Sequence, residues 1–250
     1  MEKDEYRLMY DIEQSYWWFV GKQYLVKTIL KGLRFHSVEG GKILDIGCGT
    51  GIVLELLEDF GLPCGMELSS EAIRFLRQRN LNRVVQTDAN QTIPFRHNAF
   101  SAVTCLDLLE HIDNDLSLLK EMYRVCRPGG HVIITVPAFQ TLWSPHDVAL
   151  HHKRRYTKQQ MFSMIRQLSW RVVKCSYYNT VLFCPILGMR TLKNCMWRHK
   201  PARSDFFIGL PAWLNRTLSL LFLSEIFLLK YLNLPFGVSL LFILQKPHRA

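Results

Sequence analysis

The sequence predicts an α/β fold: a mainly parallel sheet with helices on both faces and a helical insert before the last strand. Two observations carry this. Short apolar runs alternate with helical patterns from residue 42 to about residue 136, which is the mark of βαβ units. The first of those runs feeds a glycine turn, Asp45-x-Gly47-x-Gly49-x-Gly51, that opens a helix.

Each element follows from local pattern. Lys42 to Cys48 reads as a buried strand, and Ile52 to Phe60 has helical spacing with Leu54, Leu56 and Leu57 apolar. Pro63 to Leu68 is a second strand. Ser69-Ser70-Glu71 starts a helix that continues from Ala72 to Arg79. Val84-Val85 is a third strand, ending at Asp88, and Phe100 to Leu108 a fourth, apolar enough to be covered on both faces. Asp113-Asn114-Asp115 caps a helix from Leu116 to Cys126. Pro128-Gly129-Gly130 breaks the pattern before a fifth strand, His131 to Val136. A helix is expected from Thr157 to Trp170, with strands at Arg171–Tyr178 and Val238–Gln245. The chain divides into a helical N-terminal cap (1–40), the main domain (41–178), an apolar helical insert (179–237) and a final strand with tail (238–250).

The 250 residues are 48% apolar, enough to bury a substantial core. The N-terminus, Met1-Glu2-Lys3-Asp4-Glu5, has no apolar run behind it, so no secretory signal is expected. Seven scattered cysteines suit reduced thiols in a cytoplasmic protein and offer no structural zinc pattern. The net charge is +10, and it is concentrated. Between Asp147 and Asp205 lie twelve Lys and Arg and no acid, so the rest of the chain is slightly acidic. Such a stretch attracts anions, whether phosphates or lipid headgroups; a solvated basic surface is the plainer alternative.

In a parallel sheet, ligands bind outside the carboxyl ends of the strands. Those ends carry Asp45–Gly51, Glu67, Asp88 and Leu106–His111. A dinucleotide site would place its last glycine three residues after Gly49, where Ile52 stands; Gly51 comes one residue early. Glu67 can accept hydrogen bonds from ribose hydroxyls, and Asp88 from an exocyclic amine, with the Ala89 amide beside it.

Ile43–Gly51 (ILDIGCGTG), GMELS, QTDA, CLDLLEHIDND and RVCRPGGHVIITVP resemble, in order, the motifs of the class I S-adenosylmethionine-dependent methyltransferases. The resemblance is closest to the group that includes ubiquinone-type and glycolipid-pathway enzymes. It implies a Rossmann-like sheet of seven strands, the last antiparallel, with S-adenosyl-L-methionine as cofactor and S-adenosyl-L-homocysteine as product. Asp45, Gly47, Cys48, Gly49 and Gly51 would then line the methionine part, Glu67 and Leu68 the ribose, Asp88 and Ala89 the adenine, and Leu106 and Asp107 the methionine end. Tyr16-Trp17-Trp18-Phe19-Val20-Gly21-Lys22 resembles a His-Trp-Trp-Phe…Gly-Arg segment that closes over the cofactor. Trp17 and Lys22 are therefore added to the cofactor set, although lysine lacks arginine's bidentate fork.

Methyl transfer needs a general base only for a hydroxyl or a protonated amine. His111 is the best-placed candidate, with a structural role as its alternative, and His146 and His151 are further acid-base candidates. Arg154, Arg155 and Tyr156 resemble a His-x-Arg-Arg-Tyr segment of relatives acting on lipid- or sugar-linked substrates, and are read as substrate binders. No metal is assigned, because Lys153, Arg154 and Arg155 oppose a cation near the histidines. Leu106–His111 lacks the Asn/Asp-Pro-Pro-aromatic motif of base-amine methylation, so nucleic acid is not the expected target. The apolar insert points to a hydrophobic or lipid-linked acceptor, with peripheral contact at the cytoplasmic face of a membrane. The alternatives are a small soluble metabolite, or a non-catalytic nucleic-acid- or membrane-binding protein.

Overall fold

The computed structural model describes residues 3–33, 41–196, 204–205 and 209–248. It opens with two helices, α1 (Lys3–Ile12) and α2 (Trp17–Gly32). The main domain then alternates β1 (Lys42–Ile46), α3 (Ile52–Leu56), β2 (Leu62–Glu67), α4 (Ser70–Gln78), β3 (Val84–Gln86), β4 (Phe100–Leu106), α5 (Asp115–Val125) and β5 (Cys126–Pro137). After it come α6 (Pro145–Ala149), α7 (Lys158–Ile165), β6 (Arg171–Tyr178), α8 (Phe183–Met196), α9 (Ala212–Leu229) and β7 (Ser239–Gln245).

The strands form one sheet in the order β3-β2-β1-β4-β5-β7-β6, and only β7 runs antiparallel to its neighbours. The order reverses between β1 and β4, which opens a crevice at their carboxyl ends. Alternate strand residues feed two cores. Ile43, Ala102, Ile133, Leu241 and Ile243 face α2, α3, α4 and α9. Leu44, Val103, Ile134, Phe242 and Leu244 face α5 and α7. Burial on both faces is why β4 is apolar along its whole length.

Three element boundaries differ from expectation. Pro128-Gly129-Gly130 does not precede the fifth strand but is absorbed into it: pairing jumps from Phe100–Cys126 to Ala102–His131, a bulge eased by Gly129 at φ 77°. The helix after Gly51 tightens into a 3-10 turn at Leu57–Asp59. α7 ends at Ile165, and a turn then delivers Trp170 edge-on to Tyr123 at 4.8 Å between centroids.

The N-terminal helices and the insert meet on the same face of the sheet. A Cβ at Gly21 of α2 would lie 2.0 Å from Phe222 Cδ1 of α9, so glycine is required where these helices touch. Asn215 of α9 bridges the chain entering α2, accepting from Trp17 N–H at 2.9 Å and donating to Ser15 O at 2.8 Å. Of the basic stretch, residues 197–203 fall outside the described residues.

Candidate functional site

β1 ends in a turn whose three glycines are all left-handed, Gly47 at φ 73°, Gly49 at φ 53° and Gly51 at φ 95°. They are glycine for different reasons. A Cβ at Gly47 would meet Leu108 at 2.8 Å, and one at Gly51 would meet Leu76 at 2.5 Å. A Cβ at Gly49 would meet nothing within 4 Å. Packing therefore dictates two of the glycines, while the third faces open space in front of the sheet.

Glu67, at the end of β2, holds this turn. Its Oε2 accepts from Gly49 N–H at 2.9 Å, and its Oε1 from Leu68 and Ser69 N–H at 3.0 and 2.9 Å. Asp45 is buried and accepts from Thr104 Oγ at 2.6 Å. Burial pushes its pKa up to about 7, the Thr104 hydrogen bond opposes the shift, and the nearby Glu67 charge adds to it. The Cys48 thiol is likewise pushed well up by burial, so it is an inert part of the turn. Asp88 follows β3 and accepts from Asn90 N–H at 2.9 Å, and Ala89 packs at the edge of the core.

The segment before α2 latches onto the glycine turn. Fully buried Glu13 accepts from Thr50 Oγ and from Arg79 at 2.6 Å, and Arg79 also donates to Thr50 O at 3.1 Å. Tyr10 of α1 stacks on Phe75, and the Arg79 guanidinium lies over the Tyr10 ring at 4.9 Å. Glu13 thus does the closing work. Trp17 lies in the α2–α9 interface, edge-on to Phe222 at 6.0 Å.

Lys22 reaches the end of β4. It donates to Asp107 Oδ2 at 2.6 Å, Thr135 Oγ at 2.7 Å and Tyr178 Oη at 3.0 Å, which uses all three ammonium hydrogens. Burial disfavours the charge, but Asp107 and Tyr178 outweigh it and raise the pKa. Asp107 is itself left-handed at φ 50° and follows Leu106 directly. A ligand carboxylate at Lys22 would have to displace one of these partners.

Beyond Asp107 the structure brings together Glu110, His111 and His152. The rings of His111 and His152 cross at 4.9 Å, and burial lowers the His111 pKa to about 4. Glu110 is 0% exposed, and neither carboxyl oxygen has a hydrogen-bond partner. Burial pushes its pKa well up, and the Asp107 charge adds to the shift. His152 is fixed by Asp147, its Nδ1 lying 2.9 Å from Oδ1.

The structure gives the other candidates of this half the following surroundings. His146 accepts Asp205 N–H on Nδ1 at 2.9 Å, and burial lowers its pKa to about 3. His151 turns outward at φ 57°, and its neighbour His152 is the one that faces Glu110. Arg155 is not a free anion binder: its buried guanidinium donates to Asp147 at 2.7 Å and Ala138 O at 2.9 Å. Tyr156 is buried, its hydroxyl 3.1 Å from both Leu109 O and Asp115 Oδ2. Arg154 is half-exposed and pairs with Asp115 at 3.0 Å, while Lys153 pairs with Asp113. Lys153, Arg154, Arg155 and Arg190 of the acid-free stretch are thus paired with acids that lie outside it. The sequence signal for His152 was the His-x-Arg-Arg-Tyr segment, whose histidine it is.

Residues 44–134 match the family model described as "Methyltransferase domain". The ubiquinone biosynthesis O-methyltransferase of Aliivibrio fischeri is 28% identical over 134 residues, 48% of this chain and 57% of that protein. The protein of that name from Alkalilimnicola ehrlichii is 30% identical over 139 residues, 50% of this chain and 56% of its own. The chain spans a little over half the length of these curated relatives. The fold resembles a SAM-dependent methyltransferase from Archaeoglobus fulgidus, with a TM-score of 0.57 and 21% identity over 90% of this chain and 94% of that one. It also resembles a putative sarcosine dimethylglycine methyltransferase from Galdieria sulphuraria, with a TM-score of 0.58 and 14% identity over 91% and 85% of the two chains.

Proposed function

We propose that this chain, whose residues 44–134 form a methyltransferase domain, transfers a methyl group from S-adenosylmethionine to a hydroxyl of a hydrophobic acceptor at a membrane surface. The observation that carries the cofactor is Gly49, whose open face adjoins the Glu67 and Asp45 carboxylates.

The residues fit the group. S-adenosylmethionine is a cation at its sulfonium and amino groups, and two adjacent carboxylates suit a cation. Backbone can approach a ligand closely only where Cβ is missing, as at Gly49. Glu67 already accepts three backbone N–H groups, which leaves about one of its roughly four acceptor positions for a ribose hydroxyl. The Glu13–Thr50–Arg79 latch covers the turn from the side of α1 and helps exclude water. Bound there, the cofactor supplies a methyl already activated on sulfur. The protein's tasks are then to align the acceptor oxygen and to accept or displace its proton.

Hydroxyl methylation is favoured by the O-methyltransferase names of the relatives and by the proton-handling residues beside Asp107. The hydrophobic acceptor and the membrane contact rest on α9. Among the described residues it is the one helix long and apolar enough to cross a membrane, yet one face is tied to α2 through Phe222, Ile226 and Asn215. Its other face leaves Trp213 70% exposed, together with Leu220, Phe227 and Leu228. Tied to the domain on one side and apolar on the other, α9 is read as resting in a membrane interface.

Two measurements test this reading. Calorimetry should show binding of S-adenosylmethionine and S-adenosylhomocysteine but not NAD; binding of NAD alone would defeat it. The protein should sediment with anionic liposomes and methylate a component of lipid extracts. Turnover of water-soluble extract only, with no liposome binding, would replace the membrane acceptor with a soluble metabolite.

A further inference from the structure

We propose that Asn179 and Glu225 form a binding site for a neutral hydroxyl on an apolar molecule, at the junction of β6 and α8. Asn179 follows the last residue of β6, and Glu225 reaches it from α9. β6 runs parallel to β5, so the site lies at the same edge of the sheet as the glycine turn. Tyr178, one residue earlier, meets Lys22 at 3.0 Å, and Lys22 meets Asp107 at 2.6 Å.

Three observations point to a ligand. The first is Glu225. It is the one charged residue from Thr217 to Leu229, so an acid stands where the helix is otherwise apolar. A buried carboxyl is costly unless its oxygens are paired. Its Oε2 accepts from Thr180 N–H at 2.9 Å and Val181 N–H at 3.3 Å. Its Oε1 is buried without a hydrogen bond, and no cation among the described residues acts on it. The second is Asn179. Its side chain is buried, and its Nδ2 donates to nothing. The Glu225 carboxylate also takes the Asn179 backbone N–H, so the idle acceptor and the idle donor belong to one small region. Folded proteins seldom leave two such atoms idle in one place. The third is the surroundings. Phe183 of α8 is edge-on to Phe236 at 5.5 Å and to Phe139 at 5.7 Å, and Phe139 stacks on Tyr177 at 4.9 Å. The Thr180 hydroxyl donates to Phe236 O, which holds this aromatic row against the site. Phe236 and Val181 are exposed, so the site lies just beneath the surface.

The two idle atoms select the ligand. One accepts and the other donates, so a group that does both satisfies them together, and a hydroxyl is such a group. A carboxylate or phosphate would meet the charge of Glu225, and an ammonium would turn donors toward the Asn179 donor. The aromatic row suits the apolar remainder of the molecule. On the reading above, this hydroxyl belongs to the methyl acceptor and is not the one methylated, because the Tyr178 side chain and Lys22 separate Asn179 from Asp107. Asn179 and Glu225 then orient the acceptor. That role rests on the methyltransferase reading; the hydroxyl site does not.

The test uses the full chain and three probes of equal chain length: 1-octanol, octanoate and octylamine. Calorimetry should show 1-octanol saturating at one equivalent, with both charged probes binding at least about tenfold more weakly, the size of one hydrogen bond to a charged group. Glu225→Gln should weaken 1-octanol by about tenfold and narrow its lead over octanoate, since the repelling charge is gone. Asn179→Gly, which suits the left-handed backbone at φ 58°, should weaken 1-octanol by a similar factor. Near-ultraviolet circular dichroism reports whether each variant folds, and the ranking of the probes on the unmutated protein stands without them. Absence of saturable 1-octanol binding, equal affinity for the three probes, or unchanged affinity in either folded variant overturns the proposal and leaves a bridging water as the occupant. Binding of S-adenosylmethionine is measured alongside. Cofactor binding without 1-octanol binding removes the hydroxyl site alone, and 1-octanol binding without cofactor binding removes the methyltransferase reading alone.

Discussion

The turn from Asp45 to Gly51 and the loop from Ser144 to Tyr156 both flank the same crevice, yet they are built in opposite ways. The first is a backbone device. Its geometry comes from three left-handed glycines, and Glu67 and Arg79 hold its backbone. The second is a side-chain device. Asp147 lies at its centre, touching His152, Arg155 and Arg190, and the backbone follows that network. A backbone device can be read from local sequence, because it needs particular residue types at fixed spacing. A charge network cannot, because any acid that arrives in space may serve.

The largest expected effect separates roles within the first region. Gly49→Val should weaken S-adenosylmethionine binding at least about 100-fold, equivalent to about 3 kcal/mol. Its cost to the fold should be only the strain of a side chain at φ 53°, about 1–3 kcal/mol. Gly51→Val should instead destabilise the domain, since its Cβ meets Leu76 at 2.5 Å. Calorimetry paired with urea unfolding distinguishes the two; equal loss of stability in both would break the distinction.

The second prediction concerns the network. Asp147→Ala leaves the buried guanidinium of Arg155 without its carboxylate and should cost about 3–5 kcal/mol in urea unfolding. Arg154→Ala, whose side chain is 35% exposed against Asp115, should cost less than about 1 kcal/mol. Similar costs for the two would mean that Asp147 is no hub.

A smaller effect sharpens the chemistry of the first region. Folding raises the Asp45 pKa from 3.8 to about 7. In the free protein its contribution to stability is therefore fully present below pH 3.8 and is lost as pH rises through about 7. A cationic ligand needs the ionised form, so cofactor affinity should fall about tenfold per pH unit below that pKa. Asp45→Asn should flatten both profiles, as calorimetry and thermal unfolding across this range can check.

Most of the sheet was legible because burial on two faces leaves an unmistakable run of apolar residues, as in β4 and β5. Boundaries failed where tertiary contacts overrode local signals. Pro128-Gly129-Gly130 reads as a break, yet pairing with β4 and β7 carries the strand through it as a bulge. Among the predicted site residues, Asp45, Gly49, Glu67 and Asp107 gather at the crevice because the topology places every strand end there. The histidines did not follow. His146 accepts from Asp205 N–H, and the partner of His111 is His152, the histidine of the His-x-Arg-Arg-Tyr segment. Glu110 and Glu13 were missed because a buried acid and a solvated one have the same letter.

By itself, the sequence determined the parallel sheet, the switch point and the glycine turn. These depend on period, apolar content and Cβ-free positions, all of which are local. The tertiary structure decided which charges are free. It paired Lys153, Arg154 and Arg155 with acids from outside the basic stretch, bound Lys22 to Asp107, and left Glu110 buried without a hydrogen-bond partner beside two histidines. Electrostatic energy depends on distance and burial, and neither is written in the order of residues.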